Sequence, residues 1–298
     1  MKKPGIILNV KIIIFLLLLV ECVFFTLSCS SSASALRTDD VFSRYEPAKH
    51  LVFIGLDGWG GDYLSNADMP AVKGMMTRGA STVKMRCILP SVSLPNWTAL
   101  FTSAKLKDHK SSQIPSIFRL VNDKQKSSSV LFYEWSVLLN LCNDERTEKR
   151  TILSNIESAQ NIAEYIIENK PVFTAVVFDQ PDSTGHSKRW GSLPYYEKLA
   201  EMDALIAIIE QAVKDAGIYD DTVFMLSSDH GGFFLWHGYT FLQKHRRIPF
   251  VISGNGIKEN YIISGSSSIY DIAPTMAAIL GLEIPPEWRG QPVLKIFK

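Results

Sequence analysis

At 298 residues the chain is long enough for one large domain with a substantial buried core, and 46% apolar with 20% charged content is ordinary for a globular protein. A formal net charge of +1 gives no cationic excess for a polyanion, which disfavours nucleic acid as a structural partner. There is no internal repeat, and no low-complexity tract beyond a serine-rich patch near residue 30.

Lys2, Lys3 and Lys11 precede an apolar run over 12–27, broken only by Glu21 and Cys22, which reads as the basic and hydrophobic parts of an export signal. Ala33-Ser34-Ala35 offers a small-residue cleavage site, so residues 1–35 form a leader. Alternatively, Leu27-Ser28-Cys29 is a relaxed lipobox in which Cys29 carries a lipid tether. Both readings imply export, to the periplasm, the cell surface or the medium. An uncleaved transmembrane anchor fits less well, given Glu21 and the small-residue flank. Residues 36–49 are then a linker and 50–298 a single catalytic domain. Within that domain only Cys87 and Cys142 remain, either as a disulfide or as two buried free thiols.

The continuous apolar run 51–56 predicts a buried parallel strand ended by Asp57-Gly58. A helix over 69–79 and an extended segment over 80–89 follow, stopped by Pro90 before the loop that carries Ser93. Helices over 114–121 and 136–141 flank a strand over 129–133. Ile156, Ala159, Ile162, Ala163, Ile166 and Ile167 predict one helix face, and 172–178 a buried strand with Asp179 and Asp182 at its carboxyl end. Leu199, Met202, Ile206, Ile209 and Val213 predict a helix closed by Gly217. Strands over 222–226, 248–252 and 261–263 and a helix over 271–280 complete the chain. Alternating strands and helices imply an α/β fold of three layers, α/β/α, with a mostly parallel sheet and functional groups at the strand ends.

Several carboxylates and imidazoles fall at those ends. Asp182-Ser-Thr-Gly-His186 is weak alone, since a capping aspartate and a surface histidine have the same spacing. Asp229-His230-Gly231-Gly232 says more, because adjacent Asp and His side chains reach one ion only from an irregular turn, which glycines permit. His237-Gly238 follows. His186, His230 and His237 lie in glycine-flanked loops, whereas His50, His109 and His245 have no such setting, and His245-Arg246-Arg247 reads as a solvated turn. Mixed carboxylate and imidazole donors make zinc the first-choice metal. Ser93 precedes a helix-like run from Trp97 and is also a natural N-cap.

In this order, Asp57, Ser93-Leu-Pro-Asn96, Asp182-Ser-Thr-Gly-His186, Asp229-His230-Gly231-Gly232 and His237-Gly238 resemble the alkaline phosphatase superfamily, nearest its type I phosphodiesterase/nucleotide pyrophosphatase branch. The resemblance covers about residues 50–298, including the segment from Tyr270 to Gly281. It implies an alkaline phosphatase-like fold and two divalent ions, one held by Asp182, His186 and His237 and one by Asp57, Asp229 and His230. Ser93 bridges toward the second ion. It further implies that Ser93 attacks a small phosphate ester to form a covalent phosphoseryl intermediate, which water hydrolyses. By the same resemblance Asn96 binds a non-bridging phosphoryl oxygen, as suits a singly charged diester, although a turn asparagine after Pro95 looks identical. The string Ser93-Leu94-Pro95-Asn96-Trp97 also partly matches the sulfatase signature, but Trp97 stands where that signature has arginine. A phosphomonoesterase of the same superfamily and a non-catalytic surface binding protein are the competing readings. Phe233, Phe234, Trp236 and Tyr239 near His237, with Lys188, Arg189 and Trp190 after His186, either wall a leaving-group pocket or simply pack.

Overall fold

The computed structural model describes residues 45–112, 114–125, 128–238 and 241–298. The chain divides by contacts between Arg37 and Thr38, and every described residue belongs to the second unit, Thr38–Lys298. The expected leader, Cys29 and Tyr239 lie outside the described residues, as does most of the linker. No helix among the described residues is long and apolar enough to cross a membrane.

An eight-stranded sheet organises the domain, in the order β4 (Glu148–Thr151), β3 (Ser129–Tyr133), β5 (Phe173–Phe178), β1 (His50–Leu56), β6 (Thr222–Ser227), β7 (Arg247–Gly254), β2 (Gly79–Arg86) and β8 (Tyr261–Ile262). Its centre is β1 (His50–Leu56), paired in parallel with β5 (Phe173–Phe178) on one side and β6 (Thr222–Ser227) on the other. All three strands are short apolar runs, as expected where both faces are covered. Successive side chains of β1 enter opposite layers. Leu51 and Phe53 join a cluster with Trp97, Phe118 and Met276, while Val52, Ile54 and Leu56 join Val72, Ile162 and Ile206.

The first cluster is covered by α2 (Ser93–Thr102), α4 (Ile117–Lys124) and α10 (Ile272–Ile279). The second is covered by α1 (Pro70–Thr77), α6 (Ile156–Asn169) and α8 (Leu193–Asp215). The protein is therefore the expected three-layer α/β/α fold. Between the covering helices lie α3 (Leu106–Ser112), α5 (Leu138–Cys142), α7 (Asp182–Lys188) and α9 (Gln243–Arg246). Cys87 and Cys142 are both buried free thiols.

Three departures from expectation have physical causes. Strand β7 (Arg247–Gly254) runs antiparallel to both β6 and β2 (Gly79–Arg86), so the sheet is mixed on that side. The β6–β7 connection stays at one end of the sheet, and a return without a crossover reverses strand direction. Strand β4 (Glu148–Thr151) has no hydrophobic signal because it is an exposed, charged edge beside β3 (Ser129–Tyr133). On α6 the buried face is Ser158, Ala159, Ile162 and Ile166; Ile156 is 59% exposed, so it does not belong to the buried stripe.

This assignment of the α6 face predicts unequal costs for two isoleucines. Ile162→Ala, at a fully buried site, should lower unfolding free energy by about 2–5 kcal/mol in urea titrations. Ile156→Ala should change it by less than about 0.5 kcal/mol.

Candidate metal centre and nucleophile

Strands β1, β5 and β6 lie side by side and end together, with Leu56 opposite Phe178 and Gly55 opposite Ser227. The residues that follow them are thereby gathered at one edge. Asp57 leaves β1, Asp182 opens α7 just after β5, and Asp229-His230 leaves β6. The backbone locks these exits together: Asp182 N donates to Asp57 O (2.9 Å), Gly58 N to Asp229 Oδ1 (3.1 Å) and Trp59 N to Ser228 Oγ (2.9 Å). Gly58 is at φ +70°, and a Cβ there would lie 2.8 Å from the Asp182 backbone, so this close approach requires glycine.

Asp182 and His186 sit on the helix α7, not on the loop expected from the intervening glycine. Four residues apart on a helix, they share a face, and Asp182 Oδ2 lies 3.4 Å from His186 Nε2. His237 enters from the β6–β7 connection, with Nε2 3.6 Å from Asp182 Oδ1 and 2.9 Å from His186 Nε2. Donor atoms of Asp182, His186 and His237 all lie within 4.8 Å of one another, and those of Asp57, Asp182 and His230 meet the same limit. Asp229 Oδ2 is 3.2 Å from His230 Nε2. Asp182 thus touches both groups, where the sequence pattern placed it in the first alone.

The side chains fit a pair of cations. Nδ1 of His186, His237 and His230 each faces a backbone carbonyl, of Leu235 (3.1 Å), Ser91 (2.8 Å) and Gly231 (3.1 Å) respectively. A carbonyl only accepts, so each Nδ1 carries the hydrogen and each Nε2 turns a lone pair inward. Two such lone pairs face each other across the His186–His237 contact. Asp182 Oδ1 and Asp229 Oδ2 are buried without any hydrogen-bond partner. Unpaired acceptors of this kind are costly unless a cation sits among them.

Electrostatics follow the same geometry. Burial, then repulsion from Asp229 and Asp182, raises the Asp57 carboxyl well above its ordinary range. Burial, with Asp229 and Asp179 nearby, pushes Asp182 up to about 8, and burial pushes Asp229 up to about 6. Burial holds the His230 imidazole down to about 3 and His237 to about 4, the latter aided by His230.

Ser93 is the first residue of α2, with Val92 in the cap position, so its hydroxyl is free of capping duty. Its Oγ lies 3.2 Å from His230 Nε2 and 3.4 Å from Asp57 Oδ1, at the mouth of the second group. Asn96 does not join it. Asn96 is completely buried: Oδ1 accepts from Ile88 N (2.8 Å), and Nδ2 donates to Pro90 O (3.0 Å) and Val92 O (2.9 Å). The side chain expected to hold a phosphoryl oxygen instead braces the loop before Ser93, because every polar atom it has is taken by that backbone.

Two neighbours escaped the sequence pattern. Trp97 Nε1 donates to Asp57 Oδ2 (2.9 Å), so the residue at the signature's arginine position supplies a neutral donor to a carboxylate of the site. Ser91 gives Gly238 O both its N–H (3.2 Å) and its hydroxyl (2.5 Å), while its own carbonyl holds His237. The Ser93 loop and the His237 loop are therefore one unit. A serine two positions before Ser93 carries no pattern that would announce this. Phe233, Phe234 and Trp236 are exposed at the rim, and Trp190 is buried beside His186, with centroids 4.9 Å apart.

A model of the family described as type I phosphodiesterase / nucleotide pyrophosphatase matches residues 51–111 and 121–234, more than half of the chain. The chain belongs to this family. The type I phosphodiesterase family match includes Asp57, Ser93, Asp182, His186, Asp229 and His230 and stops just short of His237, and the family lies within the alkaline phosphatase superfamily. Among curated proteins, arylsulfatase K of Bos taurus is 32% identical over 104 residues, 34% of this chain and 19% of that protein. Its Homo sapiens counterpart is 30% identical over 106 residues, 34% and 20% of the two chains. The aligned segment thus spans about a fifth of the length of these relatives.

Among solved structures, murine ectonucleotide pyrophosphatase/phosphodiesterase 5 in complex with AMP aligns with a TM-score of 0.69 at 12% identity, over 84% of this chain and 100% of that one. A 2-O GAG sulfatase gives 0.71 at 11%, over 83% and 73%. The phosphonate monoester hydrolase of Agrobacterium radiobacter gives 0.65 at 15%, over 85% and 77%. At such identities the likeness is one of fold.

The pKa directions predict how metal-free protein responds to pH. An acid raised in the folded state stabilises the fold at low pH and loses that contribution as pH rises from its ordinary 3.8 toward about 8, as for Asp182. The lowered histidines act oppositely, but only below their ordinary 6.5. Between about pH 6.5 and 8 the carboxylates alone remain, so EDTA-treated protein should lose thermal stability across that window. Excess divalent metal should flatten the slope.

Proposed function

We propose that the protein is an exported metal-dependent hydrolase that cleaves phosphodiester or pyrophosphate bonds of small-molecule esters through a phosphoseryl intermediate on Ser93. The observation that carries this reading is the placement of Ser93 Oγ against His230 Nε2 and Asp57 Oδ1, within a site whose three imidazoles all turn Nε2 inward. Asp182, His186 and His237 would hold one divalent ion, and Asp57, Asp229 and His230 the other, with Asp182 adjoining both. Zinc is the metal this donor set favours. When bound, such ions offset substrate charge and favour the ionised serine.

The chain's own residues do the rest. Ser93 presents its oxygen from the first turn of α2, whose free N–H groups favour a phosphoryl anion at that point. Attack by Ser93 Oγ on phosphorus expels the ester oxygen opposite it, and water then cleaves the Ser93–phosphorus bond. Trp97 and Gly58 fix the two carboxylates around which this happens: the indole by its hydrogen bond to Asp57, the glycine by donating to Asp229. Asn96 holds the shape of the loop and leaves phosphoryl recognition to other groups.

Sulfate-ester hydrolysis is the second reading, favoured by the identity to arylsulfatase K. Against it stands Trp97, whose buried indole replaces a cation. An export signal over residues 1–35, with tethering through Cys29 as its lipoprotein form, completes the proposal.

A substrate panel tests it. Purified protein with divalent metal should hydrolyse bis-p-nitrophenyl phosphate faster than p-nitrophenyl phosphate or p-nitrophenyl sulfate, and Ser93→Ala should reduce diester turnover by about 10³-fold or more. Preference for the monoester or the sulfate overturns the substrate class, and an active Ser93→Ala variant removes Ser93 from the nucleophile role.

A further inference from the structure

Beyond the centre, at the same end of the sheet, three cations that are in no ion pair among the described residues line one cleft. The end of β2, the turn into β7, the segment after α2 and the stretch before α10 enclose an open cleft of about 570 Å³. Arg86, Lys105 and Arg246 line it, together with the hydroxyl-bearing Ser266, Ser267 and Ser268. The walls are set by backbone pairing: Arg86 N donates to Ser267 O (3.0 Å) and Cys87 N to Arg246 O (2.9 Å).

Among the described residues none of the three cations makes an ion pair, and Nε of Arg246 is buried with no hydrogen-bond partner. One carboxylate stands against the three cations: Asp271, whose Oδ2 accepts from Ser268 N (2.8 Å) and Oδ1 from Gln291 N (3.0 Å), so the lining keeps a cationic excess. The nearby Asp108 pairs with Arg289 at 2.9 Å. Gathering like charges around a cleft costs energy unless an anion enters, and a concave wall focuses their potential. Guanidinium and hydroxyl groups on one cleft wall are the donor types that bind phosphate or sulfate oxygens.

Position connects the cleft to the reaction. Ile88 and Leu89, which also line it, lead directly into the Ser93 loop, and Asn96 of the nucleophile helix grips Ile88 N. One short segment is thus a wall of the cleft and the approach to Ser93. Lys105 follows the other end of α2.

We propose that this cleft is a second anion subsite, which takes a phosphate or sulfate group on the retained arm of the substrate while the scissile ester lies at Ser93. The assignment to substrate rests on the diester reading above. It makes Arg86 and Arg246 specificity residues for esters that carry a second anionic group.

Two measurements test it. EDTA-treated full-length protein is titrated calorimetrically with inorganic pyrophosphate, so that metal-borne binding does not contribute. Binding at one site per chain is expected, weakened about tenfold or more in Arg86→Ser/Arg246→Ser and restored in Arg86→Lys/Arg246→Lys. Absence of binding, or equal binding by the serine variant, overturns the cleft as an anion site. The second measurement compares two p-nitrophenyl phosphodiesters, one with a terminal phosphate on the retained arm and one without. In the serine variant KM should rise about tenfold for the first alone, with kcat within about twofold for both. A rise shared by both, or by neither, overturns the assignment to substrate. Failure of the unaltered protein to turn over either diester contradicts the diesterase reading, and with it that assignment, while the titration still decides the cleft.

Discussion

Three carboxylates, on Asp57, Asp182 and Asp229, are held beyond the ends of three adjacent strands, two of them buried and Asp182 largely so, and their mutual repulsion is the constraint around which the site is built. The strands are fixed in register by an apolar core on both faces, so the acids cannot move apart without breaking the sheet. Some of the strain is met by neutral donors, Trp97 Nε1 on Asp57 and Gly58 N on Asp229. What is left, the bare oxygens of Asp182 and Asp229, asks for positive charge. The three histidines answer in the same sense, because each spends its Nδ1 hydrogen on a carbonyl and points a lone pair at the same space.

The proposed nucleophile inherits its position from this arrangement. Ser93 is carried on a loop whose two sides are tied down separately: Asn96 binds Ile88, Pro90 and Val92 from within, and Ser91 binds Gly238 and His237 from across the site. His237 and the approach to Ser93 are therefore held by one set of contacts through Ser91. The segment leading into the same loop, Ile88 and Leu89, also walls the basic cleft.

Much of this was legible in the sequence, for reasons specific to each element. Residues 51–56, 172–178 and 222–226 read as strands because burial on both faces demands unbroken apolar runs, and the acids that end them mark the sheet edge. Strand β4 was invisible because Glu148, Lys149, Arg150 and Thr151 are all exposed and none brings an apolar side chain to the sheet. The Asp182–His186 pair read as part of a loop, since Gly185 masked a helical turn whose Cβ-free surface is packed against Trp190. Asn96 shows the limit most clearly. Its place near the nucleophile was apparent from the chain, but the direction of its amide depends on which backbone groups of 88–92 lack partners, and that is settled only by folding. His245, read as part of a solvated turn, is buried, while Arg246 beside it lines the basic cleft.

The central claim is that two donor groups joined through Asp182 each hold a divalent ion beside Ser93. Anomalous diffraction from crystals of the purified protein, recorded above and below the absorption edge of the bound metal, tests it most directly. The account predicts two peaks per chain, one among Asp182, His186 and His237 and one among Asp57, Asp229 and His230. A single peak, or none at these residues after growth with excess metal, would contradict it.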